Sequence, residues 1–176
     1  TDLICKKLGI DKKCVTADVA LPGSREQEQA LSKKLYSVPV AQRESAINRH
    51  GELAERVNTT SAAKRSLVCE CEEVSVGEVE YALNELDVHN LVDLRRRTRV
   101  GMGTCQGELC ACRAAGLMSE AGKYCTREAK QDLADFLNER WKGMAPVAWG
   151  DTLRESQFTT WLYDGVCGLK NQKNTI

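Results

Sequence analysis

Four cysteines near the middle of the chain constrain its folding more than any other feature. Cys69 and Cys71 form a C-x-C pair, and after 33 further residues Cys105 and Cys110 form a C-x4-C pair. Four thiolates brought to one point make either a tetrahedral zinc site or a cage for an iron-sulfur cluster, and spacing alone leaves both open. The intervening residues must fold back on themselves for the two pairs to meet.

The residues around these cysteines are more specific than the spacing. The chain reads Leu-Val-Cys-Glu-Cys-Glu-Glu-Val-Ser from Leu67 and Gly-Met-Gly-Thr-Cys-Gln-Gly-Glu-Leu-Cys from Gly101. Both stretches closely resemble the bacterioferritin-associated-ferredoxin-like [2Fe-2S] domain, a small helical domain. The ligands of a [2Fe-2S] cluster that this resemblance implies are Cys69, Cys71, Cys105 and Cys110.

The closing C-x4-C, with Gln-Gly inside, differs from the C-x2-C of many members of the wider family. It is similar to the subset attached to flavin-dependent dehydrogenases and amine-oxidising flavoproteins. The resemblance implies one-electron transfer from flavin adenine dinucleotide (FAD) toward companion subunits, in an enzyme that oxidises sn-glycerol 3-phosphate. A membrane quinone would be reached through a membrane-anchoring subunit. The alternative is a non-redox module, in which zinc or a cluster staples a subunit-docking surface.

The glycine-rich loop G-x-G-x-x-G, which a flavin-binding domain uses to hold the cofactor's phosphates, is absent. We therefore expect FAD to belong to the parent protein and not to be bound by this fragment, which alone should be inactive. No Ser/His/Asp arrangement or paired carboxylates stand out, so no catalytic residue is predicted. We expect residues 1–64 to be the tail of a flavin domain and a linker, residues 65–122 the [2Fe-2S] domain, and residues 123–176 a helical extension.

Charge and hydropathy limit the partners. The 25 basic and 25 acidic residues cancel, so no global field attracts nucleic acid or an anionic membrane. No apolar run approaches the ~20 residues of a membrane span, and no signal peptide is seen. We expect a cytoplasmic protein, peripheral on the inner face of the bacterial cell membrane as the resemblance implies, with reduced thiols rather than disulfides.

Periodicity and capping residues predict a mainly α fold. Residues 67–71 should be extended, which would place Cys69 and Cys71 on one face of a strand. Ser75 and Glu78 form a capping box, and Asn90 can cap the following helix, with Val92 facing inward. The predicted helices are 24–35, 76–86, 90–97, 108–121, 126–141 and 151–163, the last capped by Asp151, with 39–50 either helical or extended.

Cys110 and Cys112 compete for the fourth bond to the cluster. If the helix begins at Glu108, the two side chains are about 200° apart around its axis, so only one faces the cluster. We assign Cys110 and treat Cys112 as a packed thiol. The cysteines outside the constellation are expected to be small buried apolar residues: Cys5, Cys14, Cys112, Cys125 and Cys167.

Two further features have open alternatives, and the two histidines have a single expected location. The arginines from 95 to 99 are either a solvated helix face or charges that favour a reduced cluster. His50 and His89 are expected at the surface. Both phenylalanines lie beyond residue 135, so the C-terminal part either packs onto the cluster domain or docks another subunit.

Overall fold

The computed structural model describes residues 6–9, 38–57 and 61–170. Within these ranges the protein is mainly helical, which confirms the predicted fold class. The helix predicted for residues 24–35 lies outside the described residues, as do Cys5 and Cys14. The elements are α1 Val40–His50, α2 Ala54–Val57, β1 Leu67–Cys69, β2 Val74–Ser75, α3 Val76–Glu85, α4 Leu91–Thr98, α5 Ala111–Glu120, α6 Thr126–Met144 and α7 Gly150–Trp161.

The two strands form a short antiparallel hairpin that carries the first cysteine pair. Leu67 pairs with Ser75 and Cys69 with Val74, with an irregular register between them. The strand ends at Cys69 because the chain turns, and Glu73 has a positive φ of 52°. The prediction of an extended segment through Cys71 was therefore wrong, since Cys71 lies in the connecting loop.

Helices α3 and α4 begin where their capping residues predicted. Ser75 Oγ accepts a hydrogen bond from the Glu78 backbone N–H at 3.2 Å, and Asn90 Oδ1 accepts one from Asp93 N–H at 2.8 Å. The other hydrogen bond of the predicted capping box, from the Ser75 backbone N–H to the Glu78 carboxylate, is replaced, because this carboxylate pairs with residues of α1 instead. Val92 is 37% exposed, so its predicted inward orientation was wrong.

Helix α5 begins at Ala111, three residues later than the predicted start at Glu108. Residues 104–110 form consecutive turns. Gln106 and Gly107 have positive φ values of 50° and 96°, which a right-handed helix cannot contain. Cys110 is therefore the residue just before the helix rather than part of its interior.

The main core joins the β-hairpin to α3, α4, α5 and α6. Helix α6 was predicted correctly in type and core face, although it continues to Met144 and so includes Gly143, which was expected beyond its end. Its four large inward side chains are all buried: Leu133, Phe136, Leu137 and Trp141.

Helices α1 and α7 lie before and after the elements of this core in the chain. Of the two alternatives for residues 39–50, the helical one is observed, and Gly51 ends α1 with a φ of 56°. Helix α7 has no fully buried residue and continues into a π-helical turn, Leu162–Val166. Its cap is Trp149, whereas Asp151 lies in the first turn and pairs with Arg154, so the predicted cap was wrong.

Candidate metal centre

The fold places the four predicted ligands on two loops that face each other, and their sulfur atoms meet in pairs. Cys69 ends β1, and Cys71 lies in the hairpin loop that follows it. Cys105 lies in the turns between α4 and α5, and Cys110 directly precedes α5. The helical pair α3 and α4 thus returns the chain to the hairpin, as the spacing required.

The sulfur atoms approach one another as two pairs. Cys71 Sγ lies 3.7 Å from Cys105 Sγ, near the surface. Cys69 and Cys110 are completely buried, and the Cys110 thiol donates a hydrogen bond to the Cys69 sulfur. Among the described residues, no three potential metal-binding side chains converge on a single point. The arrangement is one of two thiol pairs rather than one closed tetrahedron.

In the buried pair, the surroundings favour the ionised form of Cys69 and the protonated form of Cys110. The hydrogen bond from Cys110 lowers the pKa of Cys69 to about 6, despite burial, with further help from the backbone N–H of Gly101. The pKa of Cys110 is raised, first by that same bond and then by its burial. The pKa of Cys71 is lowered by the backbone N–H of Cys105 and by Thr104. Backbone amides therefore already point at the sulfur atoms.

Glycines make this close approach possible. A Cβ atom at Gly103 would lie 2.1 Å from the Cβ of Cys71, far below any normal contact. Gly101 and Gly107 have positive φ, and a Cβ atom on either would come within 3 Å of the Phe136 ring. The loop therefore needs glycine at these positions: Gly103 for close backbone approach to Cys71, as expected, and Gly101 and Gly107 for close packing against Phe136.

Polar side chains tether the hairpin loop from several directions. Arg49 Nη1 donates to the Glu72 carbonyl at 3.0 Å and Arg49 Nη2 to that of Glu73 at 3.4 Å. Arg99 Nε donates to the Glu72 carboxylate at 2.6 Å, and Arg113 Nη1 to that of Glu70 at 2.6 Å. The loop that carries Cys71 is thus held by α1, by the end of α4 and by α5.

The second loop has its own support. Gln106 Nε2 donates to the carbonyls of Met102 at 3.2 Å and Gly103 at 2.9 Å, and Gln106 Oε1 accepts from Arg140 Nη1 at 3.0 Å. Sequence reasoning missed Arg49, Arg140 and the role of Gln106. These contacts join residues far apart in the chain, so no local pattern marks them.

The predictions for the remaining cysteines and the histidines need correction. Cys112, Cys125 and Cys167 are exposed, not buried as expected. The side chain of His50 is only 6% exposed rather than at the surface, and its Nε2 lies 2.7 Å from the Glu78 carboxylate. His89 is exposed as predicted. The misplaced residues share one cause: their burial depends on the packing of neighbouring helices rather than on local sequence.

The arginine run is divided between solvent and protein. Arg96 and Arg97 are exposed, whereas Arg95 is half-buried and Arg99 pairs with Glu72 beside the hairpin loop. Burial lowers the pKa of Arg95, and the nearby charge of Arg140 lowers it further. The solvated alternative therefore describes Arg96 and Arg97, and an effect of Arg99 on a reduced cluster stays a prediction.

The donor set fits a [2Fe-2S] cluster. Such a cluster takes two thiolates on each iron, which suits two thiol pairs. A single zinc ion needs four ligands in one tetrahedron, whereas the described sulfur contacts join these cysteines two by two. The glycine at position 103 and the amides aimed at sulfur fit the cluster as well. The geometry thus defines a small helical iron-sulfur domain.

Comparison with known families agrees with this class. Residues 67–120 match the family model described as "BFD-like [2Fe-2S] binding domain". The match confirms the resemblance seen in the cysteine loops. No solved structure matches the chain.

The whole chain has relatives that share one enzyme name. It is 54% identical over its full length to a subunit of the anaerobic glycerol-3-phosphate dehydrogenase of Escherichia coli K12, and covers 33% of that protein. A protein of the same enzyme name from Haloferax volcanii is 34% identical over 89% of the chain, which covers 26% of it. A shorter match, 47% identical over 26% of the chain and 10% of the relative, is the HcnB component of the hydrogen cyanide synthase of Pseudomonas aeruginosa. The chain therefore spans about a third of the glycerol-3-phosphate dehydrogenase proteins that it matches most fully.

Across the described ranges, no helix combines the length and apolar character that a bilayer crossing requires.

Proposed function

We propose that Cys69, Cys71, Cys105 and Cys110 bind a [2Fe-2S] cluster that transfers single electrons. The observation that carries this proposal is the pairing of thiols from two loops within the matched domain. Cys71 Sγ lies 3.7 Å from Cys105 Sγ, and the Cys110 thiol donates a hydrogen bond to Cys69. When bound, the cluster supplies a one-electron step between carriers. The protein provides the ligands, the amides directed at sulfur and the arginines around both loops.

The parent protein is proposed to be a flavin-dependent anaerobic sn-glycerol-3-phosphate dehydrogenase. The relatives that match 100% and 89% of the chain carry that enzyme's name and are called subunits. In this proposal FAD oxidises the substrate elsewhere in the protein, and electrons pass through the cluster domain toward companion subunits and a membrane quinone. The complex would lie on the inner face of the cell membrane, through a membrane-anchoring subunit.

The proposed division of labour makes this chain inactive alone. Residues 1–64 would complete the flavin domain and linker, residues 65–122 hold the cluster, and residues 123–176 extend it. No glycine loop for a dinucleotide is present in the sequence. Calorimetric titration with FAD or glycerol 3-phosphate should give no saturable binding. Micromolar binding of either ligand would overturn this division.

One experiment distinguishes the redox function from a purely structural metal site. The buried contact of Cys69 with Cys110 joins β1 to the residue that directly precedes α5, and a structural zinc site would join the same two parts of the chain. Protein purified without oxygen should be brown, contain two iron and two sulfide per chain (the composition of a [2Fe-2S] cluster), and give a paramagnetic signal once reduced. Colourless protein with one zinc per chain would instead support the alternative, a non-redox module with a structural metal.

A further inference from the structure

Arg140 links helix α6 to the loop between α4 and α5 that carries Cys105. It lies 20 residues beyond the end of the matched domain, which spans residues 67–120. Its Nη1 nevertheless donates to Gln106 Oε1 at 3.0 Å. The same Gln106 amide also contacts the loop backbone, because its Nε2 donates to the carbonyls of Met102 and Gly103. Three residues of the loop are thus joined to one side chain of α6.

The direction of Arg140 is fixed by the residue one turn before it. Its guanidinium lies over the ring of Phe136, 5.8 Å from the centroid. The Phe136 ring is buried against Gly101 and Gly107, where a Cβ atom would come within 2.9 and 2.6 Å of it. Helix α6 therefore contacts this loop both by packing on its glycines and by hydrogen bonding to its glutamine.

The loop needs such support because Gln106 has a φ of 50°. A residue with a side chain disfavours this left-handed conformation, so contacts elsewhere must hold it. The Gln106 backbone N–H also donates to the Gly103 carbonyl at 2.9 Å, which sets the turn around Cys105. A change of this turn would move the Cys105 sulfur relative to Cys71.

Arg140 occupies an electrostatically unfavourable place. It lies close enough to Arg95 that its charge lowers the pKa of that guanidinium, after the effect of burial. A positive charge beside another is destabilising unless a specific contact offsets the repulsion. The described contacts that do so are the Gln106 amide and the Phe136 ring.

We propose that Arg140 is a positioning residue, which holds the Cys105 loop through Gln106, and that the cluster-binding unit therefore extends through α6. This inference rests on the proposed cluster function. It assigns to α6 a role that the matched domain, ending at residue 120, does not contain. Arg140 itself is not a ligand.

The test uses the full chain with its cluster reconstituted under anaerobic conditions. The variants are Arg140→Met, Gln106→Leu and the double variant, with Arg140→Lys as the conservative replacement. The matched control is Arg127→Met, which removes an exposed arginine at the far end of α6, about 20 Å away along the helix. Iron release to a ferrous chelator, the midpoint potential and the paramagnetic spectrum are measured for each.

We expect Arg140→Met and Gln106→Leu each to release iron about 3- to 10-fold faster, the scale of one lost hydrogen bond. The double variant should be no faster than either single one, since both act through one contact chain. Both single variants should change the paramagnetic spectrum in the same way. Arg140→Lys should restore part of the slow release, and Arg127→Met should behave as the unchanged chain.

The outcomes separate this inference from the proposed function. If the unchanged chain takes up no cluster, the proposed function fails. If it takes up the cluster and Arg140→Met matches Arg127→Met in release and spectrum, the positioning role is wrong. Multiplicative effects in the double variant would also overturn it. A lower melting temperature with unchanged release and spectrum would mean that Arg140 stabilises the fold only.

Discussion

At the scale of single residues, the site leaves no room for a side chain at Gly103. Replacing it by Ala would place a Cβ atom 2.1 Å from the Cβ of Cys71, so one of the two loops must move. We expect Gly103→Ala to lose most of its cluster, measured as iron and sulfide per folded chain. The control is Gly116→Ala in α5, where a Cβ meets nothing within 4 Å. That change should keep the cluster and stabilise the helix by about 0.4–1 kcal/mol. Full cluster content in Gly103→Ala would contradict the described loop.

Cys110 and Cys112 provide a second comparison between neighbouring residues. Cys110 is buried beside Cys69, whereas Cys112 is exposed on α5. We expect Cys110→Ser to abolish or strongly alter the paramagnetic signal of the reduced protein, and Cys112→Ser to leave it unchanged. The sequence analysis based this assignment on a helix that begins at Glu108, but α5 begins at Ala111. The assignment of Cys110 as the ligand now rests on its burial against Cys69. The opposite result would move the ligand to Cys112.

The ligand residues could be predicted from sequence because their pattern is local and their resemblance specific. The residues that hold the loops could not. Gln106 stands between the two cysteines of the C-x4-C pair, but its partner Arg140 is 34 residues away. Arg49 is likewise separated from Glu78 by 29 residues. Such pairs are set by how the helices pack, and a single sequence carries no signal for them.

At the scale of elements, α1 and α3 are joined by a buried ion pair. Arg49 Nε and Nη2 each lie 2.7 Å from an oxygen of the Glu78 carboxylate, whose side chain is 1% exposed. His50 contacts the same carboxylate at 2.7 Å. Since Arg49 also holds the carbonyls of Glu72 and Glu73, this pair connects α1 with the loop of Cys71.

Breaking that pair should destabilise the protein strongly. Removing one partner of a buried pair leaves an uncompensated charge, at a cost of about 3–5 kcal/mol. We expect Glu78→Gln to lower the free energy of unfolding by this amount in urea denaturation. The control pair, Arg56 with Glu85 at 3.6 Å, is about half exposed on both sides. Glu85→Gln should change stability by less than about 1 kcal/mol. Equal effects of the two variants would show that Glu78 is not held as described.

Helices α4 and α6 are joined through Asp132, whose titration gives a pH dependence. Its carboxylate accepts from the Leu91 N–H at 2.8 Å and the Tyr124 hydroxyl at 3.0 Å. Burial nevertheless raises the pKa of Asp132 above its ordinary 3.8. The folded state then binds the proton more tightly, so this group's stabilising effect is present at low pH and lost as pH rises through the raised pKa.

Asp132→Asn removes that titration. We expect the stability of the variant, relative to the unchanged chain, to increase as pH is raised from about 4 toward neutrality. Urea denaturation at several pH values checks this expectation. A relative stability that falls over the same range would mean that the two hydrogen bonds, rather than burial, dominate.

Element boundaries show where sequence reasoning ends. Ser75 and Asn90 start α3 and α4 as predicted, because a cap acts within four residues. The start of α5 was misplaced because Gln106 and Gly107 hold positive φ values that depend on the loop's tertiary contacts. The capping box at Glu78 failed for a similar reason, since Arg49 offers its carboxylate a stronger partner.

At the scale of the whole molecule, the C-terminal aromatic residues divide between core and surface. Phe136 and Trp141 are buried in the main core, whereas Trp149, Phe158 and Trp161 are 82%, 55% and 62% exposed. The rings of Phe158 and Trp161 stack, with centroids 6.5 Å apart. The sequence analysis offered two alternatives for this end of the chain, packing onto the cluster domain or docking another subunit. Helix α6 packs onto the cluster domain, whereas α7 leaves its aromatic side chains in solvent, so each alternative describes only part of it.

The segment after α7 remains attached to the metal centre. The Tyr163 hydroxyl donates to the Glu108 carbonyl, within the Cys105 loop. Leu169 is buried in the same core as α6. Deleting residues 151–176 would therefore damage the core as well as the surface, so point variants are the better test of a contact role.

The exposed aromatic pair of α7 is expected to contribute to assembly and not to cluster binding. Large exposed aromatic residues are typical of protein interfaces, and Trp is among the residues that dominate their energetics. We expect Phe158→Gln with Trp161→Gln to weaken co-purification with the proposed companion subunits, while iron content and the paramagnetic signal stay unchanged. Leu169→Ala is the control, because it disturbs the core beneath and should lower stability without removing the aromatic surface. Intact assembly in the double variant would exclude this surface as the contact, and loss of the cluster there would show that α7 supports the metal centre instead.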